Sequence, residues 1–199
     1  MNDPISVWLD FVDPHGAAAV RHYFEHPFQI LSADRLEDVA KVIDAAHQAS
    51  LDGAWSVGYV RYEAAPAFDH AYQVRSALAS AQTANRKPPL AWFALFKQAL
   101  PWPMGDSHAP ADYCAQDWHP ELDAARFSAG MAEIAQAIQD GENYQINYTT
   151  RLRGQFRGDT LAFFQALRRS QPDCYAACIQ TGGEHILSLS PELFFDWRN

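Results

Sequence analysis

Three cysteines in 199 residues, Cys114, Cys174 and Cys178, are too few and too unevenly spaced for a disulfide framework in a chain of this size. Reduced thiols are expected. Cys174 and Cys178 could imitate a metal pair, but residues four apart on a strand are separated by roughly 13 Å, too far to share one ion. Basic residues are scarce as well: 15 Lys and Arg stand against 24 Asp and Glu, for a net charge of -9 with no Lys/Arg cluster. Such a field repels phosphate backbones and anionic lipid surfaces, so nucleic acid and membranes are not expected partners. Apolar runs such as Leu90 to Phe96 fall far short of the roughly 20 residues that span a bilayer. Met1-Asn2-Asp3-Pro4 lacks a basic region ahead of an apolar core. There is no internal repeat and no low-complexity segment. A soluble, cytoplasmic protein is expected. What the chain does have is 48% hydrophobic residues, enough to bury a sizeable core at the border between one large domain and two small ones.

Hydrophobic periodicity marks the elements. Val7 to Val12 reads as a strand, Ala17 to Glu25 as a short helix, and Phe28 to Leu31 as a second strand with Ser32 as a helix cap. From Arg35 to Leu51, apolar residues recur at three and four, the pattern of a helix with one stripe toward a core. Trp55 to Tyr62 and Leu90 to Phe96 read as strands, joined by a polar connection from Gln82 to Pro89. Lys97 to Pro120 carries Pro101, Pro103, Gly105, Pro110 and Pro120, so neither regular structure is expected to run far there. A boundary placed in this stretch gives segments 1–119 and 120–199.

Beyond it, Phe127, Met131, Ile134 and Ile138 fall at helical spacing, as in a helix lying on a sheet, and Gly141 stands where a glycine would end that helix. The period then changes to two, so residues 144–153 read as a strand with Tyr144, Ile146, Tyr148 and Leu152 on one face. A helix from Leu161 to Arg169 follows, then strands Tyr175 to Gln180 and His185 to Leu189 around the hairpin turn Thr181-Gly182-Gly183-Glu184. The predicted class is α+β, with largely antiparallel β-sheets and flanking helices.

Two stretches could carry chemistry. Gln145, Asn147, Thr149, Arg151 and Arg153 on the polar face of residues 144–153 could hydrogen-bond and neutralise a small dicarboxylate, or could simply be a wet strand face. Glu192 lies between Pro191 and Leu193-Phe194-Phe195. Aromatic neighbours that excluded water would raise its pKa and keep a proton available for general acid work; the alternative is an ordinary exposed glutamate. The histidines are scattered and carry no recognisable pairing.

These residues also carry a resemblance. Gly141-Glu142-Asn143-Tyr144-Gln145-Ile146-Asn147 is similar to the aGD-x-YQ-V-N element of the chorismate-utilising enzymes, and Ser190-Pro191-Glu192-Leu193-Phe194 to their SPE-x-F element. Gly58 to Asp69, which contains Tyr62-Glu63-Ala64-Ala65-Pro66-Ala67-Phe68-Asp69, resembles a stretch typical of the aminodeoxychorismate branch.

The resemblance implies the N-terminal portion of that family's fold. It also implies the activity of an aminodeoxychorismate synthase component I. Chorismate plus ammonia gives 4-amino-4-deoxychorismate for para-aminobenzoate and folate synthesis, with the ammonia supplied by a glutamine amidotransferase subunit and Mg²⁺ on the substrate carboxylate. By similarity, Glu192 is the acid that protonates the departing C4 hydroxyl. Gln145 and Asn147 then become substrate-side candidates. Cys174-Tyr175-Ala176 aligns with a P-Y element that holds tryptophan in some relatives, although the companion LLES-like run is not matched near Leu31. The family pattern continues beyond Asn199 through a Pro-Ile-Lys-Gly-Thr element and metal-binding glutamates, and Lys41, Lys87 and Lys97 do not replace that lysine. The chain is therefore expected to be a catalytically inert portion, with Mg²⁺ held by the missing remainder. The alternatives are an anthranilate synthase component I and a non-catalytic ligand-binding module.

Overall fold

The computed structural model describes residues 4–13, 19–74, 88–103 and 112–197. It is an α+β structure in which every strand pairing among the described residues is antiparallel. Two compact units divide the chain, one formed by Met1–His108 with Phe164–Asn199 and the other by Ala109–Phe163.

The first unit contains two sheets. Strands β1 (Ser6–Phe11), β2 (Val20–Glu25), β8 (Tyr175–Gln180) and β9 (His185–Ser190) form one, in the order β2-β1-β8-β9. Strands β3 (Gln29–Ala33), β4 (Trp55–Val60) and β5 (Ala91–Phe96) form the other, in the order β3-β5-β4. Strand alternation explains the core between them. Val7 and Phe24 on β1 and β2 and Ile179 on β8 cluster with Trp92, Ala94 and Phe96 of β5, all buried. Each large side chain so enclosed contributes about 1.5–3 kcal/mol.

Helix α1 (Leu36–Leu51) covers the reverse face of the three-stranded sheet, where Val39 meets Ala33, Ala64, Leu90 and Ala91. Ala64 belongs to a short 3-10 helix, Tyr62–Ala67, that holds Pro66 within it.

The far face of the four-stranded sheet carries Trp8, Asp10, Ala176 and Cys178, also buried. Asp10 receives two guanidinium groups there, Arg21 Nε at 3.1 Å and Arg168 Nε at 3.2 Å. Arg168 lies on helix α3 (Thr160–Ser170), one turn after the fully buried Phe164, so the two side chains share a helix face.

The second unit pairs β6 (Tyr113–Pro120) with β7 (Leu152–Gly158) and contains helix α2 (Ala124–Gln139). The ladder is bulged between Gln116 and His119, where Asp117 takes φ 57°. The ends of α2 are well specified. Asp123 Oδ1 accepts from Arg126 N at 2.8 Å, and Gly141, at φ 75°, completes a paired C-terminal cap. In that cap Gly141 N bonds Ile138 O and Glu142 N bonds Ala137 O.

Several elements differ from the sequence expectation. Val20–Glu25 is a strand and not the tail of a short helix: its alternation of Val20, His22 and Phe24 with Arg21, Tyr23 and Glu25 suits the edge offered by β1. Ser32 lies within β3 and caps nothing; α1 begins after Arg35 with no side-chain cap bond. Tyr113–Pro120 is an eight-residue strand inside the stretch expected to be irregular, with Pro120 at its last position opposite Leu152 and the next backbone bond made by Glu121 N to Arg151 O at 2.8 Å. The strand expected over 144–153 is instead Leu152–Gly158. Among the described residues no strand edge pairs with 144–151, and a period-two pattern needs a partner to become sheet. The connection from Gln82 to Lys87, with Gly105 and Pro110, lies outside the described residues.

Candidate functional site

The hairpin β8–β9 brings two of the sequence elements side by side. Its register sets Tyr175 opposite Ser190 and Ala176 opposite Leu189, so the Cys174-Tyr175-Ala176 run and the Ser190-Pro191-Glu192 run lie at the same end of neighbouring strands. The turn Thr181-Gly182-Gly183-Glu184 makes this possible. Gly182 adopts φ 83°, and Thr181 N bonds Glu184 O at 3.0 Å.

The three residues of the first run do not share a face. Tyr175 is half-buried, its ring edge-on to Phe11 at 5.7 Å, whereas Ala176 is turned to the opposite side of the sheet and fully buried. Cys174 precedes the strand and is buried, and that burial pushes its thiol pKa up, which leaves it protonated and unreactive at neutral pH.

β9 ends at Ser190, and the chain after it has no regular structure. Ser190 Oγ donates to the Glu192 carbonyl at 2.7 Å, and Glu192 N–H points back at the same oxygen at 3.4 Å, which folds the segment over on itself. Glu192 is exposed. Phe194 and Phe195, the neighbours expected to exclude water from it, are 94% and 69% exposed and pack edge-on against one another at 5.3 Å. The dry surroundings that a resting general acid would have are therefore not formed by these two rings.

Gln145 and Asn147 belong to the second unit, in an exposed irregular stretch after α2, with Tyr144 beside them 95% exposed. Tyr148 is anchored, stacking on Phe127 of α2 at 5.5 Å. Arg153, one of the guanidinium groups considered for a dicarboxylate, is paired with Glu121 at 2.5 Å on the β6–β7 ribbon.

An open depression of about 360 Å³ in the first unit is lined by Val12, Asp13, Ala19 and Asp173. Two carboxylates at its wall would repel a dianionic ligand, so it does not serve as a dicarboxylate site. The group that sequence reading missed is Tyr59, Arg61 and Glu184. Tyr59 Oη donates to Glu184 Oε1 at 2.5 Å, and Arg61 Nη2 pairs with Glu184 Oε2. Burial pushes the Tyr59 hydroxyl above its ordinary value, and the hydrogen bond to Glu184 adds to the shift. Burial is the largest single influence on Arg61 and would depress it, but hydrogen bonding and charge attraction to Glu184, with a contribution from Tyr59, together leave the guanidinium above its usual value. Their 123-residue separation left no local signal.

Residues 106–199 match the model of the family described as chorismate binding enzyme. The match covers 94 of the 199 residues, and this part of the chain is similar to that family. The matched stretch contains both the Gly141 to Asn147 run and the Ser190 to Phe194 run, whereas Gly58 to Asp69 lies outside it. Similar relatives carry two activities in their names. An aminodeoxychorismate synthase of Streptomyces pristinaespiralis is 39% identical over 80 residues, 40% of this chain and 11% of that protein. Anthranilate synthase component 1 3 of Haloarcula marismortui is 33% identical over 76 residues, 38% of this chain and 15% of that protein. Aminodeoxychorismate synthase component 1 of Klebsiella aerogenes is 28% identical over 81 residues, 41% of this chain and 18% of that protein. The chain thus spans less than a fifth of the length of each of these relatives.

Proposed function

We propose that this chain belongs to an aminodeoxychorismate synthase component I, a protein that converts chorismate and ammonia to 4-amino-4-deoxychorismate, with Glu192 as the general acid. What carries the reading is the coincidence of the family match with the Ser190-Pro191-Glu192 run at the end of β9, beside Tyr175 on β8. Hydroxide is a poor leaving group, so the C4 oxygen needs a proton as its bond breaks. An exposed carboxyl becomes the required acid when a bound ring covers it, since displacing water disfavours its charged form. Cytoplasmic location and ammonia delivery by a glutamine amidotransferase belong to the same reading.

The Gly58 to Asp69 resemblance favours the aminodeoxychorismate branch. The 33% identity to a haloarchaeal anthranilate synthase component favours the other, in which ammonia adds at C2. Magnesium is part of both readings. Among the described residues no group of three His, Cys, Asp or Glu side chains could hold a metal ion, so these residues do not fit Mg²⁺.

Product identity decides the matter. The corresponding segment of the Klebsiella aerogenes relative is replaced by this chain, and the chimera is supplied with chorismate and ammonium. Formation of 4-amino-4-deoxychorismate, reduced about 10²–10⁴-fold by Glu192→Gln, is the expected result. Anthranilate as the product would assign the second activity. Unchanged turnover in Glu192→Gln would remove the acid role. A chain that binds chorismate yet supports no turnover in the chimera would be a non-catalytic module.

A further inference from the structure

The tip of the β8–β9 hairpin is fixed from two directions. Within the turn, Thr181 Oγ1 donates to Glu184 O at 3.2 Å and accepts from Glu184 N at 3.1 Å, so the backbone of Glu184 is held by its own loop. Its carboxylate is held by the other sheet of the same unit, through Tyr59 on β4 and Arg61 just after it. Both receivers are themselves immobilised. Tyr59 stacks on Trp92 at 6.0 Å with the rings 17° apart, and Arg61 Nε donates to Pro89 O at 3.1 Å. The Arg61 guanidinium also lies 5.4 Å from the centre of the Tyr59 ring. The Arg61 and Glu184 side chains are 29% and 25% exposed, so water screens their attraction only in part.

β9 needs such a hold. Among the described residues it is the last strand in its sheet, its ladder formed with β8, and it leads directly into Ser190-Pro191-Glu192. A strand with one neighbour can swing or fray about that ladder unless something else fixes its direction. We propose that Glu184 is a positioning residue: by tethering the hairpin tip to Tyr59 and Arg61, it sets the course of β9 and thereby the place at which Glu192 is presented. The proposal rests on the functional reading of Glu192 given above. It also gives Gly58 to Asp69 a physical task. The 3-10 helix is seated by the fully buried Ala64, which anchors the backbone that follows Arg61.

The test is amide hydrogen exchange combined with chorismate titration on wild type, Glu184→Gln, Glu184→Asp and Tyr59→Phe. Loss of the charge-assisted bonds in Glu184→Gln is expected to speed exchange through His185–Ser190 and on to Leu193 by about tenfold, with β3 and β5 unchanged. Chorismate affinity should weaken by a similar factor. Glu184→Asp, which keeps the charge, should recover part of both effects, and Tyr59→Phe, which removes one bond, should give a smaller local change in the same direction. Unaltered exchange in β9 in both Glu184→Gln and Tyr59→Phe would overturn the tether, as would a uniform acceleration in every strand. Local loosening in a protein whose wild type does not bind chorismate would support the tether and remove the functional reading, so the two failures are told apart.

Discussion

At Glu192 the chemistry of a residue and its contribution to folding come apart. The side chain is exposed, and the contacts that shape its loop come from its backbone and Ser190. Glu192→Gln should therefore leave the thermal midpoint within the range of an ordinary surface substitution, about 0.5 kcal/mol, whatever it does to turnover. Phe164 is the opposite case. It is fully buried, and Phe164→Ala should cost about 3–5 kcal/mol in a denaturant melt, the sum of lost transfer energy and a residual cavity. Gly58 is also intolerant, because a Cβ there would lie 2.0 Å from the Trp92 carbonyl oxygen and 2.7 Å from Phe93 Cα. Both of those atoms are backbone and cannot step aside. The tyrosines make a pH prediction with a defined sign. Burial, helped by a hydrogen bond to Glu25, pushes Tyr23 up to about 12, and Tyr59 is raised in the same direction by burial and Glu184. A raised folded-state pKa means that the folded chain holds the proton more tightly, so this stability is complete below the ordinary tyrosine pKa of about 10 and is lost above it. Denaturant midpoints should fall between about pH 10 and about pH 12, and Tyr59→Phe should flatten that fall.

At the scale of elements, the ends of α2 give the clearest case of local coding. Gly141 after the helix is legible in the sequence and ends it as expected, whereas the Asp123 cap before it is supplied by the structure. Because none of its residues is buried, α2 depends on those caps more than a packed helix would. Asp123→Ala and Gly141→Ala should each cost about 1 kcal/mol, seen as reduced helical circular dichroism on warming. Elements whose identity depends on a partner are less legible in the sequence. The alternation in residues 144–153 was visible, but only Leu152–Gly158 forms a strand, because β6 pairs there and nowhere earlier. Val20–Glu25 became a strand because β1 lies beside it.

At the scale of the whole molecule, burial separates the two units. The large fully buried side chains, Phe24, Phe96, Phe164, Leu95, Val7, Val39 and Cys178, all belong to the unit built from Met1–His108 and Phe164–Asn199. The unit Ala109–Phe163 has no counterpart among the described residues. Amides in β6, α2 and β7 should therefore exchange faster than those of β1, β5 and β8. Equal protection in both sets would show that the smaller unit gains stability from something other than apolar burial. No helix among the described residues is long and apolar enough to cross a membrane, as the short apolar runs implied.

The sequence by itself determined the class of the fold, the positions of α1 and α3 and the β8–β9 hairpin, and the runs that lie within the match of residues 106–199 to the chorismate binding enzyme family. These are local properties, set by periodicity, turn chemistry and short motifs. Only the tertiary structure decided that Tyr175 faces Ser190 across a ladder, that Glu192 stands in solvent, and that a carboxylate at a hairpin tip is held by groups more than 120 residues away. Pairing, exposure and long-range ion pairs depend on which surfaces meet once the chain is folded, and no window of sequence contains both partners.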